Sequence, residues 1–206
     1  MNKIQIIKNI NSFFQTIPLW VYIIPFILQT LSNGFLYTMQ DRKSNYKPLY
    51  DVIISNVPDF SKYNFIPNAL MLILSTFLII PLYLKPNFNV FISLFKYLSI
   101  IIFLRSITTS VTILPSIVNG CKFKMNIITL LNGHCIDKIF SGHTSASLLL
   151  VFLYSKYNII TSNLIYVLLF LQVLVALSLI LTKEHYTIDV ILGYLITTMI
   201  LLLLDL

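Results

Sequence analysis

Charge is scarce in this 206-residue chain: Asp, Glu, Lys and Arg together make up 10%, against 57% hydrophobic residues. A soluble domain of this length needs far more charge to cover its surface, so a soluble class is excluded and an integral membrane class follows. Cysteine is nearly absent. The only two, Cys121 and Cys135, lack the spacing of a zinc pair. They share one candidate loop, where a disulfide and two free thiols are equally open. No cluster of Asp, Glu and His has the count or spacing of a dedicated metal site, so neither metal nor cofactor is expected. No arginine-rich patch interleaved with exposed aromatics points to nucleic acid; the net charge of +7 suits lipid phosphates instead. No paired set of broken helices suggests a transporter, and no small-residue cleavage site marks a signal peptide.

What is abundant is apolar sequence in long runs. Six stretches approach the roughly 20 residues that a bilayer core requires: about 18–37, 66–84, 88–114, 144–154, 159–181 and 186–204. The fourth is short and could extend past Lys156. The expected fold is all-α, a polytopic six-transmembrane-helix bundle forming a single membrane-embedded domain over residues 1–206. Residues 1–17, with Lys3 and Lys8 among apolar neighbours, suit an interfacial amphipathic helix. Six spans put both termini on one side. The loops after the first, third and fifth spans then share the other side. That side carries nine of the 14 cations, which by charge bias alone would make it cytosolic, although cations that serve a phosphate ligand would distort the count.

Two polar islands interrupt the apolar sequence, and this parity brings them together. The first is Cys135-Ile136-Asp137-Lys138-Ile139-Phe140-Ser141-Gly142-His143-Thr144; the second is His185-Tyr186-Thr187-Ile188-Asp189. His185 and Asp189, four apart, share a helix face if a helix starts there. The carboxylate could orient the imidazole and stabilise its cation, making His185 a candidate nucleophile; a capped helix beside an interfacial histidine is the plainer alternative. Gly142 permits a sharp turn, Ser141 or Thr144 can cap a helix start, and the amides there suit an anion. His143 could act as general acid or base. Arg105 interrupts the third apolar run near the same side. Ionisable residues inside spans are costly and are usually functional or paired, and a substrate phosphate is a natural partner; snorkelling to the interface is the alternative. His134 reads as an ordinary loop histidine, and Asp51, Asp59 and Glu184 as solvated or interfacial acids.

The chain resembles the sphingomyelin synthase family, a branch of the lipid phosphate phosphatase (type 2 phosphatidic acid phosphatase) superfamily. That family's first motif, Cys-Gly-Asp-x-x-x-Ser-Gly-His-Thr, is matched at residues 135–144 with Ile136 replacing the glycine. The second, His-Tyr-Thr/Ser-x-Asp-Val-x-x-x-Tyr, is matched in full from His185 to Tyr194. Arg105-Ser106-Ile107-Thr108, with Val111-Thr112 and Leu114-Pro115, looks like the family's third-span arginine segment, and Pro48-Leu49-Tyr50-Asp51 resembles its Pro-Leu-Pro-Asp with one change. The family usually carries aromatic and histidine residues further along the last helix, which are not found here up to Leu206; that bears on head-group and acceptor choice.

The resemblance implies transfer of phosphocholine from phosphatidylcholine to ceramide, with release of diacylglycerol. His185 would form a phosphohistidine, Asp189 would orient it, and His143 would move the protons. Arg105, Ser141, Gly142 and Lys183 would contact the phosphate. It also implies a lumenal or exoplasmic active site, in the Golgi, endoplasmic reticulum or plasma membrane if the source is eukaryotic. Phosphoethanolamine or phosphoinositol donors, a diacylglycerol acceptor, a lipid phosphatase and a non-catalytic membrane protein are the alternatives. The expected partners are lipids and the membrane, with a homodimer left open.

Overall fold

The structure is a computed structural model that describes residues 17–39, 47–84, 86–112, 114–118 and 139–205. The described residues form seven α-helices and no strand. A 3-10 turn, Leu19–Ile23, leads into α1 (Ile24–Thr38). A short α2 (Val52–Asn56) follows. Then come α3 (Ile66–Leu84), α4 (Phe88–Val111), α5 (Gly142–Lys156), α6 (Ser162–Leu181) and α7 (Thr187–Asp205). The expected N-terminal interfacial helix, the cysteines Cys121 and Cys135, and His134 lie outside the described residues, apart from Ile17 at that helix's end.

Among the described residues five stretches are long and apolar enough to cross a membrane: Leu19–Thr38, Ser61–Leu84, Phe88–Val111, Ser162–Leu181 and Thr187–Leu204. The chain is thus an integral multi-pass membrane protein, and five of the six expected spans have this length and composition. The exception is α5. Its 15 residues extend only about 22 Å at ~1.5 Å per residue, short of a ~30 Å hydrocarbon core. Thr144, Ser145, Ser147 and Ser155 also dilute its apolar character.

The position of α5 explains how so short and polar a helix survives there. It packs against α3, α4, α6 and α7. Every other long helix leaves large apolar side chains exposed, such as Leu31, Leu72, Phe91, Phe170 and Leu195, as a lipid-facing helix does; α5 leaves none. Its two apolar edges feed two buried clusters. Leu150, Val151 and Tyr154 join Leu74 and Leu78 of α3 and Leu168, Val175 and Leu179 of α6. Leu149 and Leu153 join Tyr97 and Ile101 of α4 and Ile200 and Leu201 of α7. Surrounded by protein, α5 needs no lipid-compatible surface of its own.

Where lipid replaces water, helices associate by close packing and interhelical hydrogen bonds rather than by expulsion of water. Both are present. The Tyr154 hydroxyl donates to the Leu74 carbonyl. The seam between α1 and α4 is lined with small hydroxyl residues: Ser32 Oγ lies 3.0 Å from Thr109 Oγ1 and accepts from Ser110 Oγ at 2.9 Å. At Gly193 the α7 backbone meets the start of α5 so closely that a Cβ would lie 3.0 Å from the Ser141 carbonyl oxygen and 3.2 Å from Thr144 Cβ.

Chain reversals keep the ends of the bundle tight. After α6, the Lys183 amide donates to Ile180 and the Glu184 amide to Leu179, with Lys183 at φ 60°; this is a Schellman cap with lysine in the left-handed position glycine usually takes. After α5, Asn158 at φ 47° plays the same part, its amide bonding Ser155 while the Ile159 amide bonds Tyr154. The starts of α3, α5 and α7 and the ends of α4 and α6 therefore gather at one end of the bundle. At the opposite end Tyr157 Oη reaches Ser93 Oγ at 2.5 Å. The parity expected from the sequence survives the loss of a formal span, because α5 still runs from one end toward the other.

Replacing Gly193 with valine should separate α5 from α7 and lower the melting temperature in detergent, by an amount equivalent to about 1–3 kcal/mol for an overpacked contact. Replacing the exposed Leu195 of the same helix with valine serves as the control and should have less effect.

Candidate active site

Three segments distant in sequence form the site, and backbone contacts join the first two. The Ser141 amide donates to the Asp189 carbonyl at 3.0 Å, and Ser145 Oγ donates to the Gly193 carbonyl at 3.3 Å. The start of α5 is thereby stitched to the first two turns of α7. Ser141 caps α5 as expected, its Oγ accepting from the Thr144 amide at 3.3 Å. Phe140, just before it, is fully buried among α4, α5 and α7 at φ 44°. A left-handed aromatic residue costs energy, and the burial of its ring offsets that cost while turning the chain into α5.

The third segment is α4. A Cβ on Gly142 would lie 2.0 Å from Arg105 Nη1 and 3.0 Å from Cζ. The guanidinium therefore occupies the space a side chain at 142 would take. Only glycine admits it there, at the first residue of α5, where helix amides also favour an anion.

His185 is buried in the turn between α6 and α7. Its Nδ1 is 3.7 Å from Asp189 Oδ2, an ion-pair separation rather than a hydrogen bond; such contacts often tighten only when substrate is bound. The Asp189 side chain is 1% exposed and its Oδ2 also accepts from the Tyr186 amide at 3.1 Å. The carboxylate is thus fixed to the backbone beside the ring it faces. His143, the second residue of α5, has its Nε2 2.9 Å from Asn68 Oδ1 at the start of α3.

Lys183 lies beside this constellation, but its Nζ is engaged by Asp59 Oδ2 at 2.9 Å. The Ser61 amide and then Lys183 hold the Asp59 carboxyl well below the usual carboxylate range. Of the two cations expected at a phosphate, the structure sets Arg105 against the first motif and commits Lys183 to the loop before α3.

Two site-building residues were not given a role from the sequence. Asp51 caps two helices at once. Its Oδ1 accepts from the Ile53 and Ile54 amides at the start of α2, while Oδ2 accepts from the Thr187 amide at 2.7 Å at the start of α7. Partial burial pushes its carboxyl up, but the bonds from Thr187, Ile54 and Ile53 outweigh this and hold it below its ordinary value. Its position just before Val52-Ile53-Ile54 is an N-cap signature; nothing local indicated the second helix. Asn68 is the other. An asparagine opening an apolar run was visible, but its partner was not.

Tyr186 closes the assembly, donating through Oη to the Pro115 carbonyl at 3.0 Å and accepting from the Leu49 amide at 3.1 Å. Burial pushes its phenol up; the Leu49 bond opposes this, and the Asp189 and Asp51 charges add to it. It therefore stays a neutral clamp across three segments. Among the described residues no group of three or more His, Cys, Asp and Glu side chains could hold a metal.

Residues 134–205 match the family described as PAP2 superfamily C-terminal. The matched third of the chain contains both histidine motifs and supports a place for the chain near the lipid phosphate phosphatase superfamily, whose activities are phosphatase or phosphotransferase reactions on lipids. A comparison with curated proteins returned no match.

Gly142→Ala provides a selective probe of the Arg105 contact. Alanine suits a helix, so the melting temperature in detergent should stay near that of the unmodified protein. The displaced guanidinium should weaken binding of a phosphate-bearing lipid analogue about tenfold or more, the value of a charge-assisted hydrogen bond. Unchanged binding would remove Arg105 from the phosphate site.

Proposed function

We propose that the protein is a sphingomyelin synthase-like phospholipid head-group transferase, moving phosphocholine from phosphatidylcholine to ceramide with release of diacylglycerol. The observation that carries this reading is the backbone bond from Ser141 to Asp189, which joins two motifs that are otherwise a whole helix pair apart. The Arg105 guanidinium against Gly142 adds the cation that a phosphoryl group needs.

The reaction runs in two displacements. His185 Nε2 attacks phosphorus while the bond from phosphorus to the diacylglycerol oxygen breaks. His143 gives that oxygen its proton, and diacylglycerol leaves. Asp189 stabilises the positive charge that the phosphorylated ring acquires. The acceptor hydroxyl then passes its proton to His143 while its oxygen attacks phosphorus, the bond to His185 breaks, and the histidine is restored. Arg105 and the amides at the start of α5 face the oxygens whose charge grows in each transition state, with Ser141 and Gly142 shaping that cradle. Lys183 serves the phosphate only if substrate draws it from Asp59.

Hydrolysis is the second reading. The family match is at the level of a superfamily that includes lipid phosphatases, and water could replace the acceptor hydroxyl in the second step. Phosphoethanolamine or phosphoinositol donors and a diacylglycerol acceptor would use the same machinery. The reading also places the site on the lumenal or exoplasmic face.

Membranes containing the protein, given fluorescent ceramide and phosphatidylcholine, should form a fluorescent phosphosphingolipid, and His185→Ala should reduce its formation by at least a thousandfold. Water-soluble phosphocholine without a new lipid would favour hydrolysis. Full activity in His185→Ala would eliminate the mechanism.

A further inference from the structure

The two histidines of the site are held by different chemistry. His185 faces a carboxylate, Asp189, through Nδ1. His143 faces a neutral amide, Asn68, through Nε2. The atom presented to His143 is Oδ1, which can only accept a hydrogen bond. At 2.9 Å the bond runs from Nε2–H to Oδ1, so Nε2 carries the proton in the neutral ring and the lone pair sits on Nδ1.

We infer that Asn68 is a positioning residue for the acid–base step. It holds His143 by Nε2, so that Nδ1 is the nitrogen that gives and takes the proton. This rests on the role assigned to His143 above and specifies the atom through which that role is exercised.

The contrast between the two partners has a physical logic. A nucleophile that must become a phosphorylated cation benefits from a negative charge behind it. A group that must release a proton in one step and regain it in the next works best with its pKa near the working pH. A carboxylate behind His143 would favour the cation and hold the proton too firmly; an amide oxygen orients the ring without that bias. Asn68 stands at the start of α3 and His143 at the start of α5, two helices that pack on each other, so the bundle itself sets the contact.

Among the described residues, several charged and titratable groups gather at this end of the bundle. From α4 comes Arg105, which lies against Gly142. From the α6–α7 turn come Lys183, Glu184 and His185, with Lys183 on Asp59 and His185 facing Asp189 of α7. From the segment before α3 come Asp51, on Thr187, and Asp59. Asn68 is thus the identified hydrogen-bond partner through which α3 acts on His143.

With only three histidines in the chain, imidazole ¹⁵N spectra of the full-length protein in detergent can be assigned using single His→Gln variants. The expected spectrum has neutral His143 in the Nε2–H form. Asn68→Asp should raise the His143 pKa by about one unit or more, as a carboxylate at this distance does. Asn68→Ala should leave the two tautomers mixed. In turnover, Asn68→Ala should lower kcat at least tenfold with KM little changed. Asn68→Asp should move the alkaline limb of the kcat/KM profile to higher pH, because the protonated ring then persists further. A neutral His143 in the Nδ1–H form, or spectra indifferent to both substitutions in protein that elutes as a single species, would overturn the assignment. The spectra need no turnover. An inactive protein, or activity that survives His185→Ala, would therefore count against the transferase reading while the Asn68 inference is still judged on its own.

Discussion

One backbone hydrogen bond, from the Ser141 amide to the Asp189 carbonyl, determines whether there is a site at all. It ties the first turn of α5 to the first turn of α7, and the side chains that could do chemistry project from those two turns. The close approach at Gly193, one turn further along, prevents the helices from separating below it. Near a membrane surface, a backbone bond sheltered by Phe140 and the α5–α7 contact is worth more than a solvated one, since few competing partners are available.

The burial of α5 follows from the same constraint. A helix that lines a polar site cannot also be a good lipid-facing span. Its Ser and Thr residues serve capping and close packing, and its neighbours shield it from the bilayer. Four of the five candidate spans, α3, α4, α6 and α7, pack around α5, while α1 packs on α4. The fixed elements then bring side chains together: a carboxylate facing one imidazole, an amide facing the other, and a guanidinium where glycine makes room.

Much of this was legible in the chain. The run from Ile66 to Leu84 is a helix with those limits, and α4 begins at Phe88 as expected. It ends at Val111 rather than Leu114 because Thr112 turns extended ahead of Pro115, whose carbonyl the Tyr186 hydroxyl then uses. Arg105 stood out because an ionisable residue inside an apolar run demands a reason, and its setting against Gly142 supplies one. What could not be read was pairing at long range. The carboxylate of Asp51 reaches Thr187 across 136 positions and Asn68 reaches His143 across 75; each looks ordinary in its local sequence. The fourth expected span, residues 144–154, falls short for a related reason: apolar length measures fitness for lipid, whereas α5 packs against four other helices.

The central claim is that both histidine motifs act on a single phosphoryl group, with His185 as the atom donor that bonds to it. The most direct measurement is covalent. The purified protein is incubated briefly with phosphatidylcholine labelled at phosphorus, quenched in alkali, digested and mapped by mass spectrometry. The account predicts an acid-labile, alkali-stable phosphocholine adduct on His185 that disappears when ceramide is added. Label on another residue, or steady product formation with His185 never modified, would contradict it.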